Sequence, residues 1–273
     1  VVQKGSVVWV QFNRRKIGLA VVSRVFTERP HFKLKRAVPH LSHYIFSERY
    51  MENLEWTAKY YLSSPMTALH AFLPSDFPVL LDAALADILE TTCPSNKEAK
   101  TIPPCLTREQ KEVVDKLTLM LEGDSFRGAL LHGVTGSGKT RVYQEVVEKA
   151  LSLNKKVLIL VPEIGLTPQS VARFSDFLNE PVYVLHSALS KVEKRKTWVE
   201  ILLGRARVVL GTRSAILAPF DFDLVILDEE HDLSFKQQEG FRYHARDVAM
   251  YRAHLESCPI ILGSATPSID SYA

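Results

Sequence analysis

ALLHGVTGSGKT, residues Ala129–Thr140, is the stretch whose reading decides the fold. ALLH reads as an apolar strand, and a helical segment opens at Lys139. Between them Gly133–Thr140 matches G-x-x-x-x-G-K-[ST] in full. The spacing has a physical reason. Gly136 and Gly138 lack a Cβ, so backbone N–H groups can close around a phosphate. The start of the following helix adds a partial positive charge. Lys139 is expected to reach the β- and γ-phosphates, and the Thr140 hydroxyl to ligate Mg²⁺. Gly133, Val134, Thr135, Gly136, Ser137, Gly138, Lys139 and Thr140 are the candidate ATP-binding loop.

Working outward, apolar strands alternate with helical segments. Val157–Val161 precedes a helix from Pro168, and Val182–Leu185 precedes one from Ser190. Val208–Leu210, Leu224–Leu227 and Ile260–Leu262 follow. Continuous apolar strands between helices predict an α/β domain with a parallel sheet covered by helices. Active residues in such sheets sit at the carboxyl ends of the strands.

One strand end stands out. Leu224–Leu227 runs into LDEEHDLSFKQQEGFRYHARD, Leu227–Asp247, where an acidic cluster is joined to an aromatic and basic run. Asp228 is placed to hold Mg²⁺, and Glu229 to orient or deprotonate an attacking water. Phe235, Lys236, Phe241, Arg242, Tyr243 and Arg246 offer rings and cations to single-stranded nucleic acid, where stacking contributes about 1–3 kcal/mol per base. The alternative is that Phe235, Phe241 and Tyr243 simply pack on the domain.

The N-terminal side differs. Among residues 1–50 there are ten Lys or Arg against two Glu, a surplus of eight; since the whole chain carries +3, the remainder carries −5. A basic module suggests a polyanion partner. Val7–Phe12 and Ile17–Phe26 flank the polar turn Asn13–Lys16, a hairpin pattern, with a further segment FKLKRAV. Met51, Leu54, Ala58, Tyr61 and Leu62 recur at helical spacing after Ser47, a candidate N-cap. Trp9 and Trp56 are expected in the core. The predicted organisation is a small β-rich domain (1–73), a Pro-rich linker with a short helix around Val79–Leu89 (74–105), and the α/β domain (106–273). Three scattered cysteines give no CxxC pair, and no apolar run approaches the ~20 residues of a membrane span. A cytoplasmic setting is expected.

Further motifs fall in order: LTREQ at Leu106–Gln110, LVPEIGLTPQ after the second strand, GTRSAI after Leu210, and GSATPS at Gly263–Ser268. With the DEEH box they resemble the first, RecA-like motor lobe of a superfamily 2 helicase. VLHSALS and QEGFRYHARD extend the likeness to the PriA family of primosomal replication-restart helicases. The resemblance implies an ATP-dependent DNA helicase and hydrolase that recognises branched or stalled forks. Gln110 would read the adenine edge. His231, Ser264 and Thr266 would couple nucleotide state to DNA, and Thr212 and Arg213 would contact the single strand. For Arg213 a structural ion pair is the alternative. Residues 1–73 are similar to the family's 3′-end-binding domain, with Phe12 and Lys35 on binding positions. Single-stranded and forked DNA, single-strand-binding protein and primosome proteins are the implied partners. ATP and Mg²⁺ are the implied cofactors, with zinc confined to a cysteine-rich part beyond Ala273.

The chain also departs from the family. Asn13 stands where a glycine is usual, the opening Phe-Asp segment is absent, and 74–105 is too short for the usual winged helix. Beyond GSATPS no second lobe follows, so this stretch alone is expected to be nearly inactive. The competing readings are another superfamily 2 translocase on DNA or RNA, and a non-catalytic DNA-binding adaptor with a relic motor.

Overall fold

The computed structural model describes residues 2–11, 17–27, 37–40, 44–90, 105–123 and 125–272. The chain forms two compact units, Val1–Thr92 and Cys93–Ala273. The division falls inside 74–105.

In the first unit β1 (Val7–Gln11) lies between β2 (Ile17–Val21) and β3 (Ala37–Pro39), antiparallel to both. β2 ends five residues earlier than the apolar run predicts. Val25 and Phe26 lie past the last sheet partner and are exposed. Ser47 caps α1 (Glu48–Tyr60) by accepting from the Tyr50 N–H, an interaction of about 1 kcal/mol. Met51, Leu54 and Ala58 are buried as their spacing predicts. Leu62 is 96 % exposed instead, because it lies beyond the helix end at φ 50°. Trp9 and Trp56 are only half-buried. The core is built on Phe46, which stacks on Tyr50 and on Phe77. α2 (Pro65–Phe72) and α3 (Phe77–Glu90) contribute Phe72, Leu80 and Leu81, so the helix within 74–105 belongs to this unit. Among the described residues no single helix is long and apolar enough to cross a membrane.

The second unit holds a six-stranded parallel sheet, ordered β4-β9-β8-β5-β7-β6. Its strands are β4 (Arg127–His132), β5 (Val157–Leu160), β6 (Val182–Leu185), β7 (Val208–Gly211), β8 (Leu224–Leu227) and β9 (Pro259–Ser264). Every residue of β5, β7 and β8 is buried, which explains their unbroken apolar character. Val157, Ile159, Val208, Leu210 and Ile226 pack with Val142, Val146 and Val147 of α5 (Lys139–Ser152) and Phe174 of α6 (Pro168–Phe177). The intervening residues are equally covered; each such aliphatic side chain contributes about 1.5–3 kcal/mol. α4 (Arg108–Leu119), α7 (Lys191–Leu202), α8 (Ala245–Glu256) and α9 (Ile269–Tyr272) complete the helices. In register, His132 faces Ser264 and Leu227 faces Leu262. The carboxyl ends of β4, β9 and β8 therefore lie side by side, each carrying one of the quoted motifs.

Candidate functional site

The glycine-rich loop joins β4 to α5. Gly138 is the N-cap of α5 at φ 85° and ψ 24°, and a Cβ there would lie 2.3 Å from Gln110 Nε2. The positive φ strains any residue with a side chain, and a Cβ would push the end of Gln110 aside. Lys139 is nearly buried. Its ammonium donates to the Gly133 carbonyl at 2.9 Å and pairs with a Glu229 oxygen at 3.2 Å. Gln110 has both ends of its carboxamide engaged. Its oxygen accepts from the Thr107 N–H in a capping box, and its nitrogen donates to the Ser137 carbonyl at 3.1 Å. It thus clamps the start of α4 to the loop.

The acidic box leaves the end of β8. The Asp228 N–H donates to the Leu160 carbonyl, and the Tyr143 hydroxyl donates to Asp228 Oδ1 at 2.8 Å. Burial pushes the Asp228 carboxyl above its ordinary range, against the opposing pull of the Tyr143 hydroxyl and Lys139. Glu229 sits at φ 48°, left-handed backbone that costs a non-glycine residue roughly 1–3 kcal/mol and clusters at functional sites. Its second oxygen accepts from the Ala265 N–H and lies 3.8 Å from His231 Nδ1. That nitrogen is 2.6 Å from Ser264 Oγ, which accepts from the Thr266 N–H. The Ser264 carbonyl in turn accepts from the Gly133 N–H. Lys139, Glu229, His231, Ser264 and Thr266 form one connected chain.

These groups border an open cleft of about 730 Å³, lined by the loop, Lys139, Thr140, Asp228, Glu229 and, from α5 and α6, Gln144, Arg173 and Phe177. Among the described residues no three His, Cys, Asp or Glu side chains cluster as a metal cage. The donor set suits Mg²⁺, which takes one or two protein oxygens and completes its shell with water and phosphate. Thr140 and Asp228 would supply them.

Residues 107–273 match the DEAD/DEAH box helicase family. That is more than half of the chain. The chain belongs to the DEAD/DEAH box helicase family. Residues 1–74 match a second family, the 3′ DNA-binding domain. The replication restart protein PriA of Bacillus subtilis (strain 168) is 49% identical over 175 residues, covering 64% of this chain and 22% of that protein. PriA of Treponema pallidum (strain Nichols) is 39% identical over 229 residues, covering 84% and 33%. The chain spans a fifth to a third of the length of such curated relatives. The solved structure of RecG bound to a three-way DNA junction is 22% identical, with a TM-score of 0.47, covering 82% of this chain and 28% of that one.

In this DEAD/DEAH box lobe the candidate nucleic-acid residues do not form one open face. Phe235 is fully buried and Phe241 and Tyr243 nearly so. The last two stack on each other, and the Tyr243 hydroxyl reaches the Arg213 carbonyl. The expectation that these three rings face bases is corrected: they pack on the lobe. Thr212 is buried as well. Arg213 donates to Gln237, to the Ser234 carbonyl and to Glu163 at 2.9 Å, the structural pairing given as its alternative. Arg246 binds Glu230, Ser268 and Ser271. Lys236 and Arg242 are the exposed members of the set. Phe12, Lys35 and the turn Asn13–Lys16 lie outside the described residues.

Four contributors were not singled out from sequence. Tyr143 lies four residues after Lys139, hence on the same helix face, a usable signal. Glu163 and Glu230 sit inside quoted motifs. Arg252, whose hydrogen bonds to Ile216, Ala218 and Phe220 span more than thirty residues, was not marked by any quoted motif.

Proposed function

We propose that these residues form the first motor lobe and a 3′-end-binding module of an ATP-driven DNA helicase. Its substrates are branched or stalled replication forks, and its role is to open DNA so that replication restarts. One observation carries the motor half of the reading: Lys139, Asp228 and Glu229 meet in a single cleft, with Lys139 and Glu229 3.2 Å apart. The match of residues 1–74 to a 3′ DNA-binding domain and the similarity to replication restart proteins support the DNA half. In the mechanism, the glycine-rich loop holds the triphosphate with its N–H groups and Lys139 leaves Glu229 for the phosphates. Glu229, freed of that cation, orients the attacking water. Thr140 and Asp228 would hold Mg²⁺, which would supply positive charge against the phosphates. His231, Ser264 and Thr266 carry the change towards the DNA-contacting segments, and Lys236 and Arg242 meet the strand. Single-strand-binding protein and primosome components are partners of the complete protein.

Titration with a fluorescent ATP analogue and Mg²⁺ tests the reading. Lys139→Ala is expected to weaken nucleotide binding more than tenfold while binding of forked DNA persists. Equal nucleotide affinity in the two proteins would sink it.

A further inference from the structure

A tyrosine stands behind the acidic box. Tyr143 is 1 % exposed and lies one turn beyond Lys139 on α5. Its hydroxyl donates to Asp228 Oδ1 across 85 residues of sequence at 2.8 Å. The space for that hydroxyl is made by a third element. A Cβ at Gly263 on β9 would lie 1.7 Å from the phenolic oxygen and 3.2 Å from Asp228 Oδ1. Gly263 has no positive φ to explain it; the close approach of the hydroxyl does. Thus α5, β8 and β9 converge on one hydrogen bond. A phenylalanine would pack as well in the same core, and an alanine would suit β9 better. The hydroxyl and the missing methyl therefore point to the carboxylate rather than to packing.

We propose that Tyr143 is a positioning residue for the Asp228 carboxylate. A hydroxyl has one proton to donate, so it fixes one carboxylate oxygen and with it the rotation of the group. An Asp side chain left to itself turns about its last bond at little cost. Fixed, it presents a ready oxygen to Mg²⁺ and the water around it, as outer partners orient metal-binding side chains elsewhere. Because Tyr143 extends from the helix that carries Lys139 and Thr140, carboxylate and phosphate loop keep a constant relation. Gly263 belongs to the device as the residue that leaves room for it.

The inference rests on the nucleotide-site reading, and the test separates the two. Binding of a fluorescent ATP analogue is measured across Mg²⁺ concentrations, and without Mg²⁺, for wild type and Tyr143→Phe, with folding checked by circular dichroism. The Mg²⁺ concentration at half-maximal binding is expected to rise roughly ten- to a hundredfold, the loss of one hydrogen bond to a charged group. Affinity without Mg²⁺ should stay the same, which a general packing defect would not allow. In the Asp228→Asn background Tyr143→Phe should add nothing. Gly263→Ala, which displaces the hydroxyl by another route, should reproduce the shift. An unchanged Mg²⁺ dependence in Tyr143→Phe overturns the inference and leaves the nucleotide site standing. A wild-type chain that binds no nucleotide at any Mg²⁺ concentration overturns both.

Discussion

Glu230 carries a charge with no exposed side-chain surface. Burial alone would raise its pKa, but the Ser268 N–H, Arg246 and the Ser271 hydroxyl outweigh burial and hold it below the ordinary carboxylate value. A lowered folded pKa gives stability that is present above the unfolded value, near 4.5, and lost as pH falls through the folded one. Glu230→Gln is therefore expected to cost about 2 kcal/mol at pH 7. The gap to wild type should narrow as urea titrations move below pH 4.5; a gap of constant size would contradict the assignment. At this scale the residues that meet in the cleft were legible in sequence because a loop of the form G-x-x-x-x-G-K-[ST] fixes residue types at set offsets. The aromatic residues were misread because a ring beside a cation looks the same whether it packs or faces solvent. The alternation was informative: Phe241 and Tyr243 point inward while Arg242 points out, on a segment where Gln237 N–H bonds to the Tyr243 carbonyl.

Arg252 ties helix α8 to the segment that follows β7. Arg252 is fully buried and donates to the carbonyls of Ile216, Ala218 and Phe220, with its guanidinium over the Phe222 ring. The first carbonyl lies within the short 3-10 turn Arg213–Leu217, which has no side-chain cap, and the other two follow it. Arg252→Met, similar in length, would take its donors from all three; the Ala218 carbonyl keeps the Phe220 N–H, while those of Ile216 and Phe220 lose their guanidinium partner. We expect a loss of about 3 kcal/mol or more in chemical denaturation. Faster hydrogen exchange should be confined to residues 215–222; uniform acceleration across the lobe would argue against a local lock. The strands of this lobe and the starts of α5, α6 and α7 were readable from periodicity, with ends displaced by a residue or two; α4, α8 and α9 were not singled out. β4 and β9 each begin earlier than their apolar runs, because Arg127 and Pro259 pair with each other in register. Pairing across 132 residues of chain leaves no local trace. The end of α1 was missed for the opposite reason: Leu62 continues the helical period after the helix has stopped.

The whole chain divides its charge, with a surplus of eight in residues 1–50 and a deficit in the remainder. Forked-DNA affinity is accordingly expected to fall about tenfold or more between 50 and 200 mM salt, while nucleotide affinity changes far less. Fluorescence anisotropy at both salt concentrations would show it, and parallel declines would not fit. Distances inside the lobe do not depend on salt. From the strand that feeds the phosphate loop to the strand that feeds Arg213 the order is β4-β9-β8-β5-β7, four steps. At about 4.8 Å a step that is roughly 19 Å. The sheet is a ruler whose graduations are strands. Loops at either end can lengthen, shorten or change partner, but the span between the glycine-rich loop and the Arg213–Glu163 pair is counted in whole strands and does not drift.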